Sequence, residues 1–108
     1  MNEQWVPIRY RDFHDFPRAF MVERGRDLLF FDCPFSDTLD DYGNEYTVFR
    51  IKDELRDRID QMPWTDLASH SDRIGVVPTK AVRFDETRRR AINTDVFALI
   101  DEAPKKTR

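Results

Sequence analysis

The stretch that decides the fold is RAFMVERGRDLLFFD, residues 18–32. Two apolar runs flank the short polar sequence Arg24-Gly25-Arg26, and glycine accepts the positive φ that tight turns often need. Apolar runs around a short loop with a central Gly are typical of an antiparallel hairpin. Both runs are almost continuously apolar, which indicates strands that are covered on both faces. The stretch therefore predicts a central hairpin over residues 18–33.

Strand patterns lie on both sides of this hairpin. In residues 5–11, Val6, Ile8 and Tyr10 alternate with proline or polar residues, which is the period of a half-buried strand. Pro7 has no N–H to donate to a ladder, so this strand is expected to lie at a sheet edge or to start late. Runs of β-branched and aromatic residues predict further strands over residues 46–51, 75–77 and 81–84.

One helix is predicted over residues 53–62. Leu55, Ile59 and Met62 recur at helical spacing and give it an apolar face. Pro63 is expected to end this helix.

The C-terminal part of the chain is predicted to hold a second helix. Residues 64–73 show no period and are expected to form a loop. Asp85 can cap a helix over residues 86–102, whose apolar side chains form a stripe. The sequence Asn93-Thr94-Asp95 interrupts good helix formers, so one helix and two helices, the second capped by Thr94, remain open alternatives.

This order of elements indicates an α+β fold. Short early connections favour a mostly antiparallel sheet of about five strands, with two helices packed on one side. A chain of 108 residues is of ordinary domain size, so we predict one globular domain over residues 1–102 and a basic, disordered tail over residues 103–108. A single core is predicted from the apolar side chains Phe20, Leu29, Phe31, Phe49, Leu55, Ile59, Val82, Phe84, Ile92 and Val96.

Composition argues against several functional classes. Three scattered glycines cannot form a P-loop or a dinucleotide-binding fingerprint, and no pattern calls for a cofactor or a metal. A pI of about 5.4 makes nucleic acid an unexpected partner, although Arg88-Arg89-Arg90 is basic. One cysteine allows no intrachain disulfide and fits a reducing compartment. With no signal peptide and no long apolar run, we expect a cytoplasmic protein without membrane contact.

Cys33 is open to two interpretations. A catalytic thiolate needs a neighbouring base or cation, and no cation lies near Cys33 in the sequence. The neighbouring carboxylate of Asp32 disfavours a thiolate. A buried, structural thiol is therefore the favoured interpretation.

The best candidate site is a polar set at the end of the first strand. Its members, interleaved with aromatic residues, are Arg11, Asp12, His14, Asp15 and Arg18. If the aromatic rings point inward, the polar groups meet at one end of the sheet, where loops often carry function. Structural ion pairs between these acids and arginines are the favoured alternative.

The leading functional hypothesis is a small, non-enzymatic interaction or ligand-binding module that forms a homodimer. Nine Phe, three Tyr and two Trp are many for one small core, and aromatic residues are enriched in interfaces. Charge is also divided, with four bases against eleven acids in residues 27–66 and nine against six in residues 67–108. This division favours a protein partner, a second copy of the chain or a small anionic ligand.

The second hypothesis is a small enzyme. Its acid/base or metal site would be built around Asp12, His14 and Arg18, and completed by His70 or by a second subunit.

Overall fold

The central hairpin forms as the sequence predicts. The computed structural model describes residues 4–14, 16–33, 35–38, 40–85 and 90–102. In it, β2 (Phe16–Arg24) pairs antiparallel with β3 (Asp27–Asp32), and Arg24 lies opposite Asp27. Gly25 has a φ of 59° in the turn, a left-handed conformation that a side chain disfavours.

Four more strands extend this hairpin into a sheet. β1 (Trp5–His14) pairs with β2, and β6 (Glu45–Ile51) pairs with β3. The outer strands are β7 (Asp72–Pro78), beside β6, and β8 (Ala91–Asn93), beside β1. Within the described residues the sheet is antiparallel and has the order β7-β6-β3-β2-β1-β8, with six strands where about five were expected. The strand with Pro7 is therefore one position in from the edge.

A small ribbon and three short helices complete the described chain. The ribbon consists of β4 (Phe35–Ser36) and β5 (Asp41–Tyr42). The helices are α1 (Asp53–Arg56), α2 (Trp64–Leu67) and α3 (Val96–Glu102). None of the helices in the described ranges combines the length and the apolar character needed to cross a membrane.

The helix predicted over residues 53–62 is shorter than expected. It leaves the α conformation after Arg56, and Ile59–Gln61 forms a separate 3₁₀ turn after Arg58, which has a φ of −114°. Pro63 takes the N-cap position of α2, where its missing N–H costs nothing. The loop expected over residues 64–73 is therefore wrong, because α2 occupies its first part.

The C-terminal prediction is also corrected. The strand expected over residues 81–84 is reduced to a single bridge between Phe84 and Ile92. Residues 86–89 lie outside the described residues, and Ile92 belongs to β8 and not to a helix. The Asp85 carboxylate closes a loop by accepting the N–H groups of Arg90 at 2.6 Å and Ala91 at 2.9 Å.

The interruption at residues 93–95 marks the change from strand to helix. The Asn93 side-chain oxygen accepts the N–H of Asp95 at 3.0 Å, a local bond that competes with regular structure. One continuous helix over residues 86–102 is wrong, because β8 lies within that range, and α3 begins at Val96, close to the start that the two-helix alternative expects after Thr94. The tail predicted over residues 103–108 lies outside them.

The sheet buries both of its faces. On face A, which carries Phe20, Phe31 and Tyr46, the cover comes from residues 82–100. Face B carries Met21 and Phe30, and its cover comes from α1, α2 and the turn between them. Residues contributed by the covers are Val82, Ile92, Val96, Phe97 and Ile100 on face A and Leu55, Ile59 and Leu67 on face B.

Two predictions about packing are therefore wrong. The helices do not share one side of the sheet, since α1 and α2 pack on face B and α3 packs on face A. The predicted single core is divided by the sheet, with Phe49, Leu55 and Ile59 on face B. Both follow from a hairpin that is apolar on both faces and needs a cover on each.

Replacing Phe31 with Ala tests the face A core. Phe31 is fully buried and stacks on Phe20 with the ring centroids 4.6 Å apart. We expect the free energy of unfolding, measured by urea denaturation, to fall by about 3–5 kcal/mol. Leu99→Ala is the matched control, because Leu99 is 41% exposed, and it should change stability by about 0.5 kcal/mol or less. Equal losses in the two variants would contradict this packing.

Candidate functional site

The predicted site residues lie where β1 turns into β2. Arg11 pairs with Ala19 and His14 with Phe16, so the backbones of Arg11, Asp12 and His14 run beside the start of β2. The side chains of these three residues, and Asp15 as a whole, lie outside the described part. Their joint site therefore stays a prediction.

Arg18 is the predicted site residue whose surroundings are described. Its side chain is buried, and its Nη1 lies 3.7 Å from the Sγ of Cys33. The backbone reinforces this contact, since the Cys33 N–H donates to the Arg18 carbonyl at 2.8 Å. A cation therefore lies beside the thiol, although none is near it in the sequence.

The sequence held a signal for this contact. In an antiparallel hairpin the residue numbers of opposite residues have a constant sum, and the turn at Gly25 sets Arg24 opposite Asp27. Continuing that register places Arg18 opposite Cys33. The predicted hairpin therefore implied the pair, and sequence reasoning missed it by searching only neighbouring positions.

Tyr46 joins these residues from the adjacent strand β6. Its buried ring meets Phe20 and Phe31 edge-on, with centroid distances of 5.3 and 5.8 Å. Its hydroxyl donates to the Pro17 carbonyl at 2.6 Å. Burial raises the pKa of Tyr46 well above its ordinary value, Cys33 raises it further, and the Arg18 charge opposes both effects. Tyr46 is therefore a neutral hydrogen-bond donor at physiological pH.

The Arg18–Cys33–Tyr46 cluster closes one end of face A. Cys33 is 1% exposed, and its thiol donates to the Gly43 carbonyl at 3.2 Å. Buried polar groups that bond to each other and to backbone carbonyls stabilise a fold, whereas a nucleophile needs a path to its substrate. The geometry favours the structural interpretation of Cys33. Among the described residues, no three His, Cys, Asp or Glu side chains are grouped so that they could hold a metal ion.

A different kind of site is the outer edge of β7. The Thr79 N–H donates to the Asn44 carbonyl at 2.9 Å. This bond fixes which residues of β7 direct their backbone groups toward β6. In an antiparallel strand, alternate residues direct their N–H and C=O groups toward the same neighbouring strand. Val77 therefore faces β6, as Thr79 does, and Val76 directs its N–H and C=O outward. Within the described ranges, no backbone group partners the outer side of β7.

On the opposite side of the sheet, the outer strand β8 is covered. The Asn93 N–H donates to the Arg83 carbonyl at 2.9 Å, and the Ala91 carbonyl accepts the Asp85 N–H at 3.0 Å. The segment that contains Arg83 and Asp85 therefore covers β8. Of the two outer strands, β7 is the one whose outer side is open in the described residues.

Comparison with known proteins gives no match. No family model fits the chain, and no curated protein and no solved structure matches it.

Replacing Tyr46 with Phe tests the buried phenol through the pH dependence of stability. An unfolded chain loses a tyrosine proton near its usual pKa of about 10, whereas folded Tyr46 keeps its proton to higher pH. The contribution of the Tyr46 hydroxyl to the free energy of unfolding is therefore complete below about pH 10 and is lost as the pH rises further. Relative to the variant, the free energy of unfolding of the wild type should fall by about 1.4 kcal/mol per pH unit above about 10.

Urea denaturation of both proteins at about pH 8 and about pH 11 measures this difference. The comparison at the lower pH is the control, because tyrosine carries its proton there in both states. A difference in stability that is the same at both pH values would show that Tyr46 titrates as it does in the unfolded chain.

The reaction of Cys33 with a thiol reagent tests its enclosure. Since the thiol is buried, the reagent should react through opening of the fold, and we expect a rate at least about a hundredfold lower than in the urea-unfolded chain. Ser69→Cys supplies an exposed thiol as an internal control, so this variant should show one fast and one slow phase. Two equally fast phases in the folded protein would contradict a buried structural role.

Proposed function

We propose that the protein is a small, non-enzymatic interaction module that binds a second copy of itself through the outer edge of β7. The observation that carries the proposal is the outward-facing backbone of this strand, which lacks a partner in the described residues. Such an edge is a template for pairing with another chain. Addition of a strand to a sheet edge gives affinity through main-chain hydrogen bonds.

An antiparallel pairing centred on Val76 satisfies these groups. A two-fold axis at that position lets Val76 exchange two hydrogen bonds with the same residue of the second copy.

Two features limit this pairing to a short length. Pro78 has no N–H to offer, and a bulge at Ile74 breaks the register with β6 between Val48 and Phe49. Because the interface is two-fold and β8 is covered by residues 83–85, pairing uses the open edge completely. These features support a closed dimer over an extended assembly.

The functional hypothesis also includes a cellular location and further partners. The buried thiol of Cys33 supports a reducing, cytoplasmic location. A further protein partner or a small anionic ligand stays a prediction. So does an enzyme with a site at Asp12, His14 and Arg18, since two of these side chains lie outside the described part.

Proline at position 76 tests the β7 pairing. Val76→Pro removes the outward N–H while the inward bonds of Val77 remain, and edge positions tolerate proline. By light scattering after size exclusion at micromolar concentration, we expect the wild type at twice the 13.0 kDa chain mass and Val76→Pro at the chain mass. Val76→Ala, which keeps the N–H, is the matched control and should remain a dimer.

Far-UV circular dichroism checks that each variant is folded. A wild-type mass near 13.0 kDa that does not rise with concentration would refute self-association. A folded Val76→Pro variant that stays dimeric would refute the β7 edge as its site.

A further inference from the structure

Face B carries a groove that the helices leave open. It has a volume of about 430 Å³ and lies over β1, β2 and β3. The exposed ring of Pro7 gives it an accessible apolar surface, and the buried side chains of Met21 and Leu28 lie beneath it. This volume lies within the range of known small-molecule sites.

Two opposite charges belong to the lining of this groove. Arg9 lies across from Met21 in the β1–β2 register, so Glu23, two residues further along β2, is its diagonal neighbour on the same face. Diagonal neighbours on paired strands are roughly 7–8 Å apart, within reach of long side chains. Both side chains are exposed, so both are available to a ligand.

Arg9 has capacity for an additional acceptor. Its Nη1 lies 3.4 Å from Asp60 Oδ1, in an ion pair whose side chains are 59% and 87% exposed. Exposed pairs of this kind are weak. Its Nη2 lies 3.9 Å from the Met21 sulfur, which is a weak acceptor. A guanidinium carries five N–H donors, so a ligand carboxylate can bind beside Asp60.

We propose that this groove binds a small zwitterion with an apolar body, of the class of hydrophobic α-amino acids. The carboxylate binds Arg9, the ammonium group binds Glu23, and the apolar side chain packs on the exposed ring of Pro7. A ligand with one charge leaves the opposite protein charge without a partner and places its own charge near a like one, which gives the site its selectivity. The groove lies on β1 to β3 and does not depend on pairing through β7.

Four probes separate the contributions of the two charges and the apolar body. L-phenylalanine carries all three features, 3-phenylpropionate lacks the amine, phenethylamine lacks the carboxylate, and glycine lacks the apolar body. Titrations followed by the amide NMR signals of residues 6, 8, 9 and 21–23 should show L-phenylalanine binding at least about tenfold more tightly than the other three. A site with no response to L-phenylalanine overturns the proposal. Equal affinity for 3-phenylpropionate overturns the role of Glu23.

Two substitutions assign the charges to their residues. Arg9→Gln and Glu23→Gln should each weaken L-phenylalanine binding about tenfold, and Glu23→Gln should bring 3-phenylpropionate closer to L-phenylalanine in affinity. Arg73→Gln, an exposed arginine on β7, is the matched control and should leave binding unchanged. Binding that survives both groove substitutions overturns the proposed contacts, and neither outcome bears on the mass measured for Val76→Pro.

Discussion

The structure depends on a hairpin whose two strands are apolar on both faces. Phe20 and Phe31 stack on face A, while Met21 and Phe30 are buried on face B. Leaving either layer in water would cost about 1.5–3 kcal/mol for each large side chain, so the sheet needs a cover on both sides. The rest of the chain supplies these covers in sequence order, first residues 53–67 for face B and then residues 82–100 for face A.

Local patterns in the sequence predicted this hairpin. The predictions that were wrong concern elements whose structure depends on contacts with distant parts of the chain. Apolar runs around Gly25 specify strands and turn together, within 16 residues. Ile92 and Val96 are four residues apart, a spacing that fits a helix. Ile92 nevertheless lies in a strand, because it pairs with Val6 of β1, 86 positions earlier in the chain. No periodicity within residues 86–102 contains that information. Residues 53–62 give a similar example. Leu55 and Ile59 both pack on face B, as their spacing predicts, although the helix ends between them.

The same distinction applies to the functional sites. The contact of Arg18 with Cys33 was implicit in the hairpin register, so it could have been predicted. The open edge of β7 and the groove beside Arg9 could not, because each depends on which surfaces the two covers reach. The Tyr46 hydroxyl, which the face A cover encloses, bonds to the backbone. The two proposed binding surfaces lie outside the covers.

The pairing of β1 with β8 also has a consequence for the order of folding. Trp5 lies opposite Asn93, so the first strand of the sheet receives its outer neighbour from the other end of the described chain. Contacts at such separation form late, since a long loop must close before they can stabilise anything. Until then the outer side of β1 exposes unpaired N–H and C=O groups, in a state where other unfolded chains can pair with it. The three residues of β8 thus set how long the paired part of β1, from Trp5 to Pro7, stays open to aggregation during folding.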